Sequence, residues 1–231
     1  MEATVRQGLA ELGLPCSAVP QLLDFAARLL EKNQVMNLTA ITEPRAVATL
    51  HLLDCAALLS VTDFRGKTVI DVGTGAGFPG MVLRILEPDM RLTLLDSLGK
   101  RIDWLRETCD GMGLDNVDCV HARAEEFASA HRQQYDIAAS RAVAALPLLC
   151  ELALPMVKVG GAFLAMKAVD CMDEVGSAAN AFTVLGAPAA ELLRYTVPFD
   201  EIPRVIVRLR KTAETPAQYP RRFKRIQADP L

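Results

Sequence analysis

The chain lacks the cysteine patterns that mark disulfide-rich and zinc-binding proteins. No two of its six cysteines form a C-x-x-C pair, and no Cys/His cluster has the spacing of metal ligands. We therefore expect reduced, buried or half-buried thiols and no metal site. A serine, cysteine or carboxylate pair spaced as nucleophile and base is missing too.

Long hydrophobic runs are also missing. The most apolar region, residues 142–157, contains Glu151 and is flanked by Arg141 and Lys158, so it is too short and too charged to span a membrane. The first twelve residues carry three charged side chains, which speaks against a signal peptide. These features predict a cytoplasmic protein with no membrane partner.

The net charge of −3 is unevenly distributed. Residues 204–225 contain eight Lys and Arg residues and one acidic residue, Glu214, so this segment carries +7 and the rest of the chain −10. Such asymmetry indicates a polyanionic partner, most often nucleic acid. A solvated tail explains the charge equally well, and charge alone does not decide between them.

Strand and helix patterns alternate after Lys67. We predict strands over 68–72, 91–95, 117–120, 135–140 and 162–167, and helices over 79–86, 98–112, 146–157 and 173–185. This alternation predicts an α/β fold with a doubly wound, Rossmann-like sheet. Two late apolar runs, 191–197 and 205–209, predict an antiparallel hairpin at the sheet edge, joined by 198–203. Seven strands with an antiparallel last strand are typical of methyltransferases.

The first 60 residues have a helical pattern. Apolar residues recur at helical spacing over 19–30 and 46–59, Pro44 suits a first helical turn, and a polar loop is predicted over 33–39. We predict three parts: an N-terminal helical cap over 1–62, a methyltransferase domain over 63–211 and a basic C-terminal tail over 212–231.

A glycine-dense turn follows the first predicted strand. It runs from Asp71 to Gly80 and contains three alternating glycines, Gly73, Gly75 and Gly77. Glycines allow positive φ and close approach of a ligand to the backbone. Asp96 ends the next apolar run, where a carboxylate can accept both hydroxyls of a ribose. The pattern predicts a cofactor that contains a nucleoside.

Two cofactors compete for this turn. Gly75-Ala-Gly-Phe-Pro-Gly80 matches the dinucleotide pattern G-x-G-x-x-G. However, the glycine nearest the strand is Gly73, preceded by Asp71, and this D-x-G-x-G-x-G form resembles the signature of S-adenosylmethionine methyltransferases. A tight turn without a ligand is disfavoured, because the glycines and Asp96 exceed what a turn requires.

The third predicted strand is followed by Arg123, Ala124 and Glu125. A backbone N–H and a carboxylate at this place suit an adenine. Alternatively, Glu125 and Glu126 only place charge at the start of a short helix, and Arg123 only faces solvent.

Cations end the next two strands. Arg141 follows the fourth strand and needs an anion or a carbonyl, with an ion pair to Asp136 or Asp71 as the alternative. Lys167 ends the fifth strand. His51 begins the sequence His51-Leu-Leu-Asp54, and taken alone a structural role is favoured for it.

Together these residues resemble a known family, the bacterial 16S ribosomal RNA guanine-N7 methyltransferases, also called small-subunit methyltransferase G or glucose-inhibited division protein B. The similarity extends from about residue 20 to the C-terminus. It rests on Met36-Asn-Leu-Thr-Ala-Ile41, His51-Leu-Leu-Asp54, Asp71 to Gly80, Lys100-Arg101, Ser140-Arg-Ala142, Lys167, Tyr219-Pro-Arg-Arg222 and Pro230-Leu231. In departure from the family, Cys55 replaces a serine, Lys32-Asn-Gln34 replaces an aromatic stretch, and the expected glycine after Arg222 is missing.

The resemblance implies a role for each candidate residue. It implies that S-adenosylmethionine is contacted by Gly73, Phe78, Ala124, Glu125 and Arg141, beside Gly75, Gly77 and Asp96 from the pattern above. The residues implied for the RNA side of the pocket are Asn37, His51, Arg123 and Lys167. The implied substrate is a guanine in the decoding region of 16S rRNA, within the 30S subunit. Its N7 carries a lone pair and no proton, so alignment without a general base suffices.

Three other functions remain open from the sequence. A small-molecule methyltransferase shares the cofactor site but does not need the basic segment. An NAD-dependent oxidoreductase keeps the glycines and binds nicotinamide, and a non-catalytic RNA-binding protein binds no cofactor.

Overall fold

The computed structural model describes residues 1–200 and 203–231 and contains one seven-stranded sheet. The strand order is β3-β2-β1-β4-β5-β7-β6; β1 to β5 are parallel, and β7 runs antiparallel to both β5 and β6. The strands are β1 (Thr68–Val72), β2 (Arg91–Asp96), β3 (Val117–His121), β4 (Tyr135–Arg141), β5 (Val157–Ala168), β6 (Ala190–Thr196) and β7 (Pro203–Arg210). The predicted doubly wound sheet and edge hairpin are confirmed.

Eleven α-helices flank the sheet in the described part of the chain. They are α1 (Glu2–Glu11), α2 (Val19–Met36), α3 (Pro44–Ala46), α4 (Asp54–Ala56), α5 (Gly80–Leu86), α6 (Gly99–Met112), α7 (Ala124–Ala130), α8 (Leu146–Ala153), α9 (Met172–Ser177), α10 (Ala179–Val184) and α11 (Phe223–Ala228). A π-helical segment, Val47–Leu53, joins α3 to α4, and a 3-10 turn, Ala57–Ser60, follows. No helix among the described residues is both long and apolar enough to cross a membrane.

Two hydrophobic clusters cover the two faces of the sheet, because successive strand residues point to opposite sides. Val69 packs into the cluster with α1, α2, α5 and α6, whereas its neighbour Ile70 packs into the cluster with α7, α8 and α10. The N-terminal helices therefore share one core with the sheet. The division into cap, domain and tail stays a prediction.

Four predicted boundaries are wrong. Helix α2 continues through Met36, so half of the predicted loop over 33–39 is helical. Helix α8 ends at Ala153 because Pro155 follows within a 3-10 turn, Leu154–Met156. The predicted helix over 173–185 is two short helices, and β5 begins at Val157. In the predicted connection over 198–203, Glu201 and Ile202 lie outside the described residues.

Candidate functional site

The glycine turn lies where the strand order reverses. β1 has β2 on one side and β4 on the other, and ligands of such sheets bind at the carboxyl ends of the strands beside this point. Gly73, Gly75 and Gly77 all have positive φ, at 72°, 58° and 89°. The backbone therefore takes the conformation that the glycine pattern predicted.

A cavity of about 470 Å³ opens at this edge, within the range of roughly 300–1,000 Å³ typical of ligand sites. Five candidate residues line it, namely Gly73, Asp96, Arg123, Ala124 and Glu125. The apolar part of the wall comes from loop and helix side chains that the sequence did not indicate, among them Leu98, Val143, Leu148 and Leu152.

Asp96 is prepared to accept further hydrogen bonds. One carboxylate oxygen accepts the backbone N–H of Gly75 at 2.9 Å, and the other accepts that of Leu98 at 2.9 Å. Each oxygen keeps a second lone pair, which suits the hydroxyls of a ribose. Arg101 lies 3.8 Å away and balances the charge of this almost buried carboxylate.

The three glycines of the turn have different surroundings. A Cβ on Gly73 would meet Val143 at 2.5 Å, and one on Gly75 would meet nothing closer than 3.9 Å. Gly77 lines neither this cavity nor the smaller one beside it, and a Cβ there would lie 2.7 to 3.2 Å from side chains of Met81, Leu105 and Phe25. Gly77 is therefore explained by packing, although the pattern placed it with the cofactor residues.

Arg123 belongs to the larger cavity. Its Nε donates to Glu125 Oε1 at 3.2 Å, and its guanidinium lies 4.2 Å from the ring centroid of Phe223. The structure thus places Arg123 beside the residues expected at the adenine. The resemblance had implied the RNA side of the pocket for it.

A second cavity of about 210 Å³ adjoins the first and shares Gly73, Arg101 and Ala142 with it. His51, Phe78 and Arg141 line this small cavity. The His51 and Phe78 rings stack with centroids 4.5 Å apart, and the Arg141 guanidinium lies 4.8 Å from the Phe78 centroid. Three of the sequence candidates are therefore brought into one cluster.

His51 is held as a neutral imidazole. Arg141 Nη2 can only donate, so His51 Nδ1 accepts its bond at 3.1 Å, and Nε2–H then donates to Thr39 Oγ1 at 2.8 Å. Burial, assisted by the charge of Arg141, lowers the pKa of His51 to about 4. With Nδ1 occupied and protonation disfavoured, His51 cannot serve as a general base near neutral pH.

Arg141 is paired, but not with the carboxylates that the sequence suggested. Its Nη1 donates to Leu50 O at 2.9 Å and to Asp54 Oδ2 at 3.3 Å. Asp136 instead accepts from Lys158 at 2.7 Å, near the amino end of β4, whereas Arg141 is at the carboxyl end of the same strand. The partner was missed because Asp54 reaches Arg141 from the N-terminal helices, a contact across 87 positions of the chain.

Asp71 is fully buried beneath the turn. Its Oδ2 accepts from Thr74 Oγ1 at 2.7 Å and from the Gly80 N–H at 2.9 Å, which ties the two ends of the turn together. Burial raises the pKa of Asp71 to about 6, although both hydrogen bonds and the charge of Arg141 oppose the shift.

Besides Gly77, the candidates Asn37 and Lys167 line neither cavity. Asn37 is exposed and ends α2 in the left-handed conformation with φ of 35°. Lys167 Nζ donates to Glu174 at 2.7 Å and to Ala144 O at 3.0 Å, so it supports the loop after β4. Asn37 is close to the site in sequence, but the next two residues, Leu38 and Thr39, are the ones that line the small cavity.

The basic segment is largely neutralised inside the protein. Arg208 and Arg210 pair with Glu191 in the β6–β7 hairpin, and Arg221 pairs with the buried Glu151. Lys211 is buried, donates to Leu154 O, and its pKa is lowered to about 8 by burial and by Arg132. Arg204 lies 3.8 Å from Asp54. Within this segment, the exposed cations that form no ion pair with a described residue are Arg222, Lys224 and Arg225.

The residues present fit S-adenosylmethionine. The larger cavity offers two carboxylates, Asp96 and Glu125, an apolar wall and the backbone of Gly73, and no cluster of metal ligands is found among the described residues. These groups match a ribose, an adenine and a charged amino-acid tail better than a pyrophosphate, which needs backbone N–H donors.

Comparisons with solved structures show the same fold. A putative S-adenosyl-L-methionine-dependent methyltransferase from Methanococcus maripaludis aligns with a TM-score of 0.56 at 14% identity, over 82% of this chain and 93% of that one. A precorrin-6y C5,15-methyltransferase from Geobacter metallireducens aligns with a TM-score of 0.54 at 16% identity, over 68% and 87%.

Sequence comparisons identify the family. The chain is 44% identical to the ribosomal RNA small subunit methyltransferase G of Alkaliphilus metalliredigens over 94% of this chain and 93% of the relative. It is 41% identical to that of Halalkalibacterium halodurans, over 96% of each chain. The family model for rRNA small subunit methyltransferase G, GidB, matches residues 18–196. With a cavity that suits S-adenosylmethionine and a fold shared with enzymes that use it, the chain belongs to the rRNA small subunit methyltransferase G family of S-adenosylmethionine-dependent enzymes.

Proposed function

We propose that this methyltransferase acts on 16S rRNA and methylates N7 of a guanine in the decoding region, with the 30S subunit as the substrate particle. The names of its relatives support the rRNA substrate. The choice of atom is supported by one observation, namely that the small cavity offers no free general base. Since 30S subunits are assembled in the cytoplasm, we place the reaction there.

The lining of the small cavity carries this argument. It contains no carboxylate, lysine, cysteine or tyrosine among the described residues, and its imidazole is the neutral, fully hydrogen-bonded His51. Methylation at a nitrogen that carries a proton requires a group to remove it, whereas guanine N7 has a free lone pair. A cavity without a base therefore favours N7 over the exocyclic amine or N1.

The residues of the small cavity can orient such a base. Bonds to Leu50, His51 and Asp54 use three of the five N–H groups of Arg141, and the other two have no partner among the described residues. Guanine presents O6 beside N7, and O6 accepts such donors. Phe78 holds His51 and Arg141 in place from beneath, so both are rigid before a ligand arrives.

S-adenosylmethionine supplies an activated methyl group when it is bound, and the work of the chain is alignment. Asp96, Ala124 and Glu125 would hold the nucleoside part in the larger cavity, and Gly73 lies where the two cavities meet. Arg141 would contact the cofactor or the guanine from the small cavity. Asn37 and Lys167 act through the loops that they shape.

Methyl transfer from tritiated S-adenosylmethionine to 30S subunits of a strain that lacks this protein tests the proposal. We expect label in 7-methylguanosine and a rate of the chemical step that does not change between about pH 6 and 8, because no group has to lose a proton. Label in another nucleoside would overturn the choice of atom. If the rate instead rises with pH with an apparent pKa near 7, and this dependence is lost in His51→Asn, the mechanism is overturned.

Arg141→Ala tests the role assigned to Arg141 in the small cavity. We expect a loss of turnover of roughly 100-fold, because an orienting donor is removed and Asp54 is left with less compensation. Binding of S-adenosylhomocysteine, measured alongside, shows whether the cofactor also depends on Arg141. Unchanged affinity together with unchanged turnover would refute the role of Arg141.

A further inference from the structure

The C-terminal helix closes one side of the larger cavity. Phe223 and Gln227 of α11 line it together with Arg123, Ala124 and Glu125, although 98 positions separate Phe223 from Glu125 in the chain. The charge pattern had marked this segment as a tail for a polyanion. Its geometry adds a second role at the cofactor cavity.

A buried ion pair fixes the position of α11. Glu151, in the middle of the apolar helix α8, is completely buried, and its carboxylate accepts the backbone N–H of Arg221 at 2.7 Å and the guanidinium at 2.7 and 2.9 Å. Ile226 of α11 is also fully buried. The segment before the helix is tied by Arg132, which donates to the carbonyls of Thr215 and Tyr219. The helix is thus a fixed wall of the cavity.

Phe223 stands at the nucleoside end of this wall. Its ring packs against the Arg123 guanidinium at 4.2 Å, and Arg123 is in turn bonded to Glu125, next to Ala124. An aromatic ring at this place offers an apolar, polarisable surface to a purine, as aromatic side chains do in nucleotide sites. The ring also holds Arg123 in the orientation in which its Nε donates to Glu125.

We propose that Phe223 is a cofactor-binding residue, and that α11 completes the nucleoside half of the S-adenosylmethionine site. This inference rests on the proposed function for the identity of the ligand. The Glu151–Arg221 pair is then a positioning device, which places Phe223 at the cavity from the opposite end of the chain.

Calorimetric titration in the absence of RNA tests the inference with two ligands. S-adenosylhomocysteine contains the nucleoside and the amino-acid tail, whereas methylthioadenosine contains the nucleoside alone. We expect Phe223→Ala to weaken the binding of both ligands by the same factor, roughly tenfold, because one aromatic–base contact is lost. Phe223→Tyr keeps the ring and should bind within about twofold of the wild type.

Lys224→Ala is the matched control, because Lys224 neighbours Phe223 on the same helix but is exposed and does not line the cavity. Both affinities should be unchanged in this variant. Thermal unfolding is measured for each variant, and Phe223→Leu replaces Phe223→Ala if the alanine variant fails to fold.

The outcomes separate this inference from the function on which it rests. Wild-type affinity in a folded Phe223→Ala variant that still methylates RNA overturns the role of Phe223 alone. A loss of affinity for S-adenosylhomocysteine without a loss for methylthioadenosine overturns the placement of Phe223 at the nucleoside end of the site. If the wild type binds neither ligand, the cofactor assignment and this inference fail together.

Discussion

The glycine turn after β1 and the basic segment over 204–225 were both recognised from composition, but composition predicted the backbone conformation of the turn better than the number of free charges in the segment. In the turn, Gly73, Gly75 and Gly77 take positive φ as the pattern requires. In the basic segment, five of the eight cations are engaged within the protein. A backbone requirement is satisfied locally, whereas the availability of a charge depends on which side chains fold against it.

The buried pair at the start of the tail gives the largest expected effect. Arg221→Ala leaves Glu151, which is 0% exposed, as an uncompensated buried charge. We expect a loss of about 3–5 kcal/mol in the free energy of unfolding, measured by urea denaturation. The neighbouring exposed residue provides the control, since Arg222→Ala should change stability by less than about 0.5 kcal/mol. Equal effects of the two substitutions would contradict the comparison between paired and free cations.

The turn itself is tested by replacing two of its glycines. Gly77→Ala combines a positive φ of 89° with a Cβ that lies 2.7 Å from Met81, and we expect a loss of about 2–5 kcal/mol. Gly75→Ala has a similar backbone but free space, so about 1–2 kcal/mol is expected. If both variants lose the same stability, packing does not distinguish the two positions.

Asp71, buried beneath the turn, makes the stability of the protein depend on pH. Its folded-state pKa of about 6 lies above the ordinary value of 3.8, so the folded protein binds more protons between these pH values and loses stability as the pH rises from about 4 to 6. Asp71→Asn removes this dependence, and relative to the wild type it should gain about 3 kcal/mol between pH 4 and pH 7. Asp103→Asn, at an exposed carboxylate, should follow the wild-type profile. Parallel profiles of Asp71→Asn and wild type would refute the buried-acid explanation.

The smallest expected effect concerns the free cations of the tail. Replacing Arg222, Lys224 and Arg225 by alanine should reduce the dependence of log affinity for 30S subunits on log salt by roughly 2, because each phosphate contact contributes about 0.7. Replacing Arg208 and Arg210, which pair with Glu191, should leave this slope nearly unchanged. The reverse result would show that the hairpin, rather than the tail, contacts RNA.

Much of the site could be predicted because its residues follow parallel strands, whose carboxyl ends meet at one edge. Asp96, Ala124 and Glu125 line the larger cavity for that reason. Residues that reach the site from other elements were missed as site residues. Asp54 and Tyr195 form one such group, since the Tyr195 hydroxyl donates to Asp54 at 2.7 Å behind Arg141. Arg101 is another: the Lys100-Arg101 pair was noticed, but its place between the two cavities was not.

The sequence by itself determined the sheet, the turn and the family. Alternating apolar runs, glycines that require positive φ and a strand-ending carboxylate are local features, and their physical consequences stay near them in the chain. The tertiary structure decided which charges are free, which histidine tautomer forms and what closes the cofactor cavity. The reason is that burial and ion pairing depend on distance in space, and several of the contacts that settle them here join distant parts of the chain. Arg221 and Glu151 are 70 positions apart, and Tyr195 and Asp54 are 141 apart.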